Sequence, residues 1–205
     1  MFFILWFVAT AGIIGILMSR HGVPFKIPAG LAAFSKQAVS GLFEAAGAQF
    51  VAVHVLDIRC GCSRAVLESL GQFVKRSEKL GVKHVVVLLN HKGDAAEQVE
   101  EATLEPLRKA LVSIQSLTLA QAKSVFQIES VPWLVVLSKE LGGSERGIFN
   151  INYMGGYSDR SIASVSDVQW PSIIEKIVAH DDVKALPSFG CVTSEQIRQQ
   201  LLYNL

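Results

Sequence analysis

The longest uniform feature of the chain is an apolar run at its start, Phe2 to Met18 (FFILWFVATAGIIGILM), with no charged side chain before Arg20. As a helix rising ~1.5 Å per residue, it is just long enough to cross a ~30 Å hydrocarbon core. A cleaved signal peptide would need a Lys/Arg n-region and a later small-residue cleavage site. Here no basic residue precedes the run, and Ala9-Thr10-Ala11 comes too early. Residues 1–19 therefore read as a transmembrane anchor. Gly22, Pro24, Pro28 and Gly30 mark residues 20–30 as a linker, and a globular domain is expected from residue 31.

Within that domain, apolar runs alternate with amphipathic stretches. Gln49 to Ile58 (QFVAVHVLDI) has the length and β-branched content of a strand buried on both faces. Cys62 to Leu80 carries apolar residues at helical spacing and stops at Gly81. Lys83 to Asn90 reads as a second buried strand, Asp94 to Leu117 as a helix plus a short strand around Leu111 to Ile114, and Thr118 to Phe126 as a short helix. Trp133 to Leu137 is a strand whose hairpin partner, Gly147 to Met154, lies across a Gly142-Gly143 turn. Pro171 opens a last helix over Ser172 to His180. This order predicts an α/β sheet with a parallel part and an antiparallel hairpin, over residues 31–182. Residues 183–205 read as an extension with a short helix, capped by Thr193 and Gln196 and apolar at Ile197, Leu201 and Leu202. No internal repeat is visible, which disfavours solenoids and propellers.

Composition narrows the function. With 205 residues the chain holds one domain plus additions. Nineteen Lys+Arg against 18 Asp+Glu give a net charge of +1, so there is no basic field for nucleic acid and no acidic tail. A mean hydropathy of +0.37 reflects the N-terminal run and excludes a disordered chain.

Two of the three cysteines, Cys60 and Cys62, fall with Gly61 at the junction between the first strand and its helix. Unpaired N–H groups and the helix dipole favour a thiolate there, and Arg59 and Arg64 add positive charge on either side. Two thiols at a helix N-terminus suit disulfide exchange. They also suit a soft metal such as copper(I), although no second Cys pair, H-E-x-x-H or His doublet supplies further ligands. Cys191 is the odd thiol, a candidate resolving or intermolecular partner.

Three landmarks in order resemble the thioredoxin-like superfamily, particularly its membrane-anchored bacterial members: V-H-V-L-D-I-R-C-G-C-S-R, then I-E-S-V-P-W-L-V-V, then the hairpin ending Met154-Gly155-Gly156. The resemblance covers roughly Gln49 to His180, with residues 91–117 as an insertion. It implies a thioredoxin-like fold, a mixed central sheet flanked by helices, with Pro132 as a cis-proline facing the cysteines. Arg59, Gly61, Val131, Pro132 and Trp133 would line the substrate groove. The sequence departs from the family in having one residue, not two, between its cysteines, and Arg59 where the family has an aromatic. Aligned on the strand, Cys60 is the nucleophile and Cys62 resolves the mixed disulfide. A bridge across i and i+2 closes a small ring, which points to an oxidant-like or isomerase-like pair.

His54 stands where thioredoxins carry a buried acid, and is a candidate proton carrier for Cys62; His84 and His91 read as structural. The resemblance implies a thiol–disulfide oxidoreductase that needs no dissociable cofactor. Its partners would be cysteine-containing protein substrates, a thiol redox partner and the membrane. It also implies a single-pass protein of the bacterial inner membrane with a periplasmic domain, although Arg20, His21 and Lys26 after the span favour the opposite orientation. Two alternatives remain open: a membrane-tethered copper-binding or metallochaperone domain, and a redox-inactive docking module.

Overall fold

The computed structural model describes residues 3–4, 6–12, 48–90, 101–110, 112–126, 128, 130–139 and 149–192. At its centre is β1 (Phe50–Leu56), in which every residue is buried. Such a strand must be paired along both edges and covered on both faces, because no water reaches its backbone. On one edge it runs parallel to β2 (Val82–Asn90), with Val53 opposite Val85; on the other it runs antiparallel to β5 (Trp133–Lys139), with Val53 opposite Val135. β3 (Ser113–Thr118) adds in parallel beyond β2, and β6 (Phe149–Gly155) adds antiparallel beyond β5. The resulting order is β3-β2-β1-β5-β6.

Parallel neighbours need a crossover, and β1 reaches β2 through α1 (Gly61–Glu78). Val66, Leu67, Leu70 and Val74 form its buried stripe at helical spacing. The helix is followed by Gly81, whose φ of +78° lies in the left-handed region that glycine occupies without steric cost. The remaining helices are α2 (Glu101–Lys109), α3 (Leu119–Phe126) and α4 (Trp170–Val178), the last with Pro171 in its first turn.

Side-chain alternation along β1 divides the interior in two. Phe50, Ala52 and Leu56 join α1 and α4 in one cluster with Leu70, Tyr157, Trp170 and Ile174. Val51, Val53 and Val55 join the other with Phe126, Val131, Trp133 and Cys60. This mixed sheet with flanking helices is consistent with the thioredoxin-like fold that the sequence implies.

Two short strands were not anticipated: β4 (Ser130–Val131) and β7 (Cys191–Val192), paired antiparallel as a separate ribbon. Two-residue strands carry no periodicity, so no pattern announces them. The strand expected around Leu111 to Ile114 lies at Ser113–Thr118, where polar Ser113, Gln115 and Ser116 interrupt the apolar run. The expected helix at 193–205, the Gly142-Gly143 turn and His91 lie outside the described residues. At the N-terminus, residues 3–4 and 6–12 are helical, and Phe3, Ile4, Trp6, Phe7 and Val8 are largely exposed. Among the described residues no helix is long and apolar enough to cross a membrane; the rest of the apolar run lies outside them.

Leu70, fully buried on α1, tests the larger core. Leu70→Ala should lower unfolding stability by about 2–5 kcal/mol, as in other leucine truncations, read as a shift of the urea midpoint at constant slope.

Candidate active site

Beyond Leu56 the chain turns through Asp57, Ile58 and Arg59, and the turn is closed by the Cys60 N–H donating to the Asp57 carbonyl at 2.9 Å. The Asp57 N–H donates to Ser63 Oγ at 3.2 Å, and the Arg59 N–H to the Asp57 carboxylate at 3.0 Å. These bonds fix Cys60 as the N-cap of α1, with extended φ/ψ of −88° and 120°. Its carbonyl accepts the first helical bond, from the Arg64 N–H, at 3.1 Å. Its sulfur therefore stands among the unpaired N–H groups of the helix start, and accepts from the Ser63 N–H.

Facing it is the Val131–Pro132 bond, which is cis as expected. The Cys60 sulfur lies 3.7 Å from the Val131 carbonyl oxygen, to which it donates when protonated. Val131 is also the partner of Cys191 in the β4–β7 ribbon, and that pairing delivers the third thiol. The Cys191 S–H and N–H are placed as donors to the Cys60 sulfur when that sulfur is a thiolate. Cys62, partly buried, has two acceptors within reach of its hydrogen, the Cys60 sulfur and the Ile162 carbonyl at 3.4 Å. All three cysteines are unbridged.

Charge in this cluster concentrates on one sulfur. Hydrogen bonds from the Cys191 thiol, then the Cys62 thiol, hold Cys60 far below the usual thiol range; burial opposes them, and the Ser63 and Cys191 N–H groups assist. Cys62 and Cys191 are pushed up, first because each gives its hydrogen to Cys60 and then because each is buried beside that negative charge. The arrangement favours one thiolate with two thiol donors. The flanking arginines act elsewhere: Arg59 pairs with Asp57 at 3.6 Å, and Arg64 Nε donates to the Ile58 carbonyl at 2.9 Å. Backbone and thiol donors, rather than guanidinium charge, make Cys60 acidic.

The expected groove residues separate. Gly61 is exposed with open space around it, and Arg59 is exposed, so both stand at the mouth. Val131 and Trp133 are buried, at 0% and 2% exposure, in the same cluster as Cys60. Trp133 is a core residue and lines no open groove, because β5 turns its ring into the sheet interior. Cys60 is itself only 1% exposed. It is Cys62, the expected resolving thiol, that is the more open of the pair.

His54 has other partners than a thiol. Its Nδ1 lies 2.8 Å from Tyr157 Oη and its Nε2 lies 2.9 Å from His84 Nδ1, while His84 Nε2 lies 2.6 Å from Ser77 Oγ. Ser77 fixes the direction of this chain, since its single hydrogen goes to the Val74 carbonyl at 2.8 Å. His84 Nε2–H then donates to Ser77, His54 Nε2–H to His84, and the Tyr157 hydroxyl to His54. The Trp133 carbonyl is a longer second acceptor for Tyr157 at 3.4 Å. Every link is neutral. Burial, then the proximity of His84, holds His54 well below the ordinary histidine range; burial, then Lys83, lowers His84 to about 3. Both ring nitrogens of His54 are thus engaged by Tyr157 and His84, and no thiol is among its hydrogen-bond partners.

Sequence reasoning also missed the segment that carries Cys191. The Gly156 N–H donates to the Leu186 carbonyl at 2.8 Å and the Leu186 N–H to Tyr153 Oη at 3.2 Å. Ser130 Oγ donates to Ser188 Oγ at 2.8 Å, and Ser188 Oγ to the Pro132 carbonyl at 3.1 Å. Residues 186–192 thus form a strap across the cis-proline turn. The available signal was small residues in series, Ser188 and Gly190 before a lone cysteine. Among the described residues no group of three or more His, Cys, Asp or Glu is placed to hold a metal ion.

No family model matches the sequence, and neither does any curated protein. Among solved structures it is similar to a hypothetical protein from Sinorhizobium meliloti 1021, at 18% identity and a TM-score of 0.56, covering 74% of this chain and 82% of that one. It is similar also to an uncharacterized conserved protein from Geobacillus kaustophilus, at 14% identity and a TM-score of 0.53, covering 71% and 77%. The chain shares the fold of both. A thioredoxin domain of a thiol-disulfide oxidoreductase from Bacteroides vulgatus matches at 14% identity and a TM-score of 0.43, over 66% and 83%.

The histidine pair makes stability depend on acid. His84 is lowered when folded, so below about pH 6.5 the unfolded chain takes up a proton that the folded one refuses. Its contribution is intact above that pH and falls by about 1.4 kcal/mol per pH unit toward pH 3. Urea unfolding of wild type and His84→Gln at about pH 7, 5 and 4 should show a shallower loss in the variant; equal slopes would refute the assignment.

Proposed function

We propose that this chain is a thiol–disulfide oxidoreductase or isomerase acting on protein disulfides, with Cys60 as the attacking thiolate. One observation carries the reading: a cysteine sulfur at the N-cap of a helix lies 3.7 Å from the carbonyl that precedes a cis-proline, with two further thiols beside it holding its pKa low. A thiolate is the species that attacks a disulfide sulfur. Attack on a substrate disulfide joins Cys60 to one substrate sulfur and releases the other as a thiolate, which takes up a proton. A second cysteine of the site, Cys62 or Cys191, then breaks the mixed disulfide. No step calls for a dissociable cofactor.

The apolar N-terminal run supports a membrane anchor, and thiol chemistry supports an oxidising compartment. We therefore place the domain on the periplasmic side of a bacterial inner membrane, working on cysteine-containing proteins and recycled by a thiol redox partner.

Cys60→Ser should slow exchange with a peptide disulfide at least about a hundredfold, because it removes the nucleophile. It should also abolish an ultraviolet thiolate absorbance that persists in wild type well below neutral pH. Cys62→Ser should keep most of that absorbance, since the Cys191 and Ser63 donors remain. Wild-type exchange by Cys60→Ser would end this reading.

A further inference from the structure

Resting on that reading, the geometry points to Cys191, rather than Cys62, as the thiol that resolves Cys60: the strap 186–192 is seated along β4 as a built-in substrate strand, and the working disulfide is Cys60–Cys191. β4 is a two-residue strand whose edge runs beside the Cys60 sulfur. An extended peptide presenting a disulfide to that sulfur would pair with this edge, since strand addition is how an extended peptide gains affinity from an exposed sheet edge. The edge is already taken. β7 pairs with it antiparallel, and the residue opposite Val131 is a cysteine. Directly opposite residues in such a pair stand ~4.5–5.5 Å apart at Cα, so register alone brings the Cys191 thiol to the site.

The seat is shaped for the strap. A Cβ on Gly190 would overlap the Val131 carbonyl, and one on Gly156 would overlap the Pro187 carbonyl. Ser188 is fully buried and joins β4 to the cis-proline turn through Ser130 and the Pro132 carbonyl. Cys62 is placed less well. Its thiol reaches the Cys60 sulfur, but it is the second residue of α1, two positions from the N-cap Cys60, so a bridge between the pair would close a small i to i+2 ring, whereas Cys191 comes from a separate strand. The Cys62 hydrogen has the Ile162 carbonyl as a competing acceptor.

The Cys60 thiolate displaces Cys191 in favour of a substrate disulfide and attacks it, forming the Cys60–substrate bond and releasing the first substrate sulfur, which takes up a proton. Cys191, as the strap returns, gives up its own proton and attacks the Cys60 sulfur. The Cys60–Cys191 bond forms, the second substrate sulfur leaves and is protonated. Two electrons pass from the two cysteines to the substrate disulfide, which ends as two thiols.

The test oxidises the reduced full-length protein with an equimolar peptide disulfide, quenches with an alkylating agent and maps bridges by peptide mass spectrometry. The expected product is Cys60–Cys191 in wild type, with Cys191→Ser holding about tenfold more Cys60–peptide mixed disulfide than Cys62→Ser. Gly190→Val, which pushes the strap off β4, should lower the yield of the Cys60–Cys191 bridge and speed alkylation of Cys60 by about tenfold. A Cys60–Cys62 bridge in wild type, with trapping by Cys62→Ser alone, would overturn the inference and leave the oxidoreductase reading standing. Absence of any exchange in wild type would remove that reading and the inference together.

Discussion

The buried strand β1 is the constraint from which the rest follows. All seven of its residues are buried, so its backbone must be satisfied by β2 on one edge and β5 on the other, and its side chains must go alternately to two separate interiors. Alternation sends His54 with Ala52 and Leu56 toward Tyr157 and Trp170. It sends Val53 and Val55 toward the interior that holds Cys60. The neutral histidine chain thereby lies on one face of the strand and Cys60 on the other, with Cys62 packed against both interiors. The turn after Leu56 then fixes where α1 begins, and hence that a cysteine is its N-cap.

In the thiol cluster, burial and hydrogen bonding oppose each other. Burial alone would raise Cys60, as it does Cys62 and Cys191, because a buried charge is costly. Hydrogen bonds to a charged acceptor contribute about 1.5–3 kcal/mol each, and Cys60 accepts from two thiols and two N–H groups. The donors win at one sulfur and cannot win at three, since each thiol that gives its hydrogen stays protonated. This is why the cluster resolves into one anion with two donors, and why the arginines are not needed to produce it. Arg59 is engaged with Asp57 and Arg64 with the turn carbonyl; they shape the turn that positions the sulfur.

Long apolar stretches were legible in the sequence. β1, α1, β2 and β5 appear within a few residues of where hydrophobic pattern places them, because burial on one or both faces leaves a period that can be counted. The resemblance to the thioredoxin-like superfamily, carried in part by the V-P-W step, implied the cis bond at Pro132. What could not be counted was contact between distant segments. Cys191 reaches Cys60 through a ribbon of two-residue strands, and nothing local in Gly190-Cys191-Val192 distinguishes that ribbon from a loop. His54 was legible as buried, but its role depends on which groups meet its two nitrogens, and Ser77, His84 and Tyr157 come from three other segments. Trp133 failed for the same reason: its place beside the cis-proline was visible, whereas the direction of its ring is a property of the sheet.

The strap links access to reactivity. With Cys191 in place, Cys60 is almost fully covered and is stabilised as an anion by that residue's S–H and N–H. Its strand pairing is only two residues long, supplemented by a few hydrogen bonds each worth about 0.5–1.5 kcal/mol net. A pairing this short is of the kind that can open below the cost of global unfolding. Opening would withdraw the Cys191 donors and leave those of Cys62 and Ser63, which would raise the Cys60 pKa as its sulfur becomes reachable. A thiolate of very low pKa is a weak nucleophile, and intrinsic nucleophilicity grows as the pKa rises toward ambient pH. On the reading proposed above, one displacement would uncover the sulfur and make it a better attacking group. Re-seating of the strap restores the donors and returns a competing thiol to the same edge.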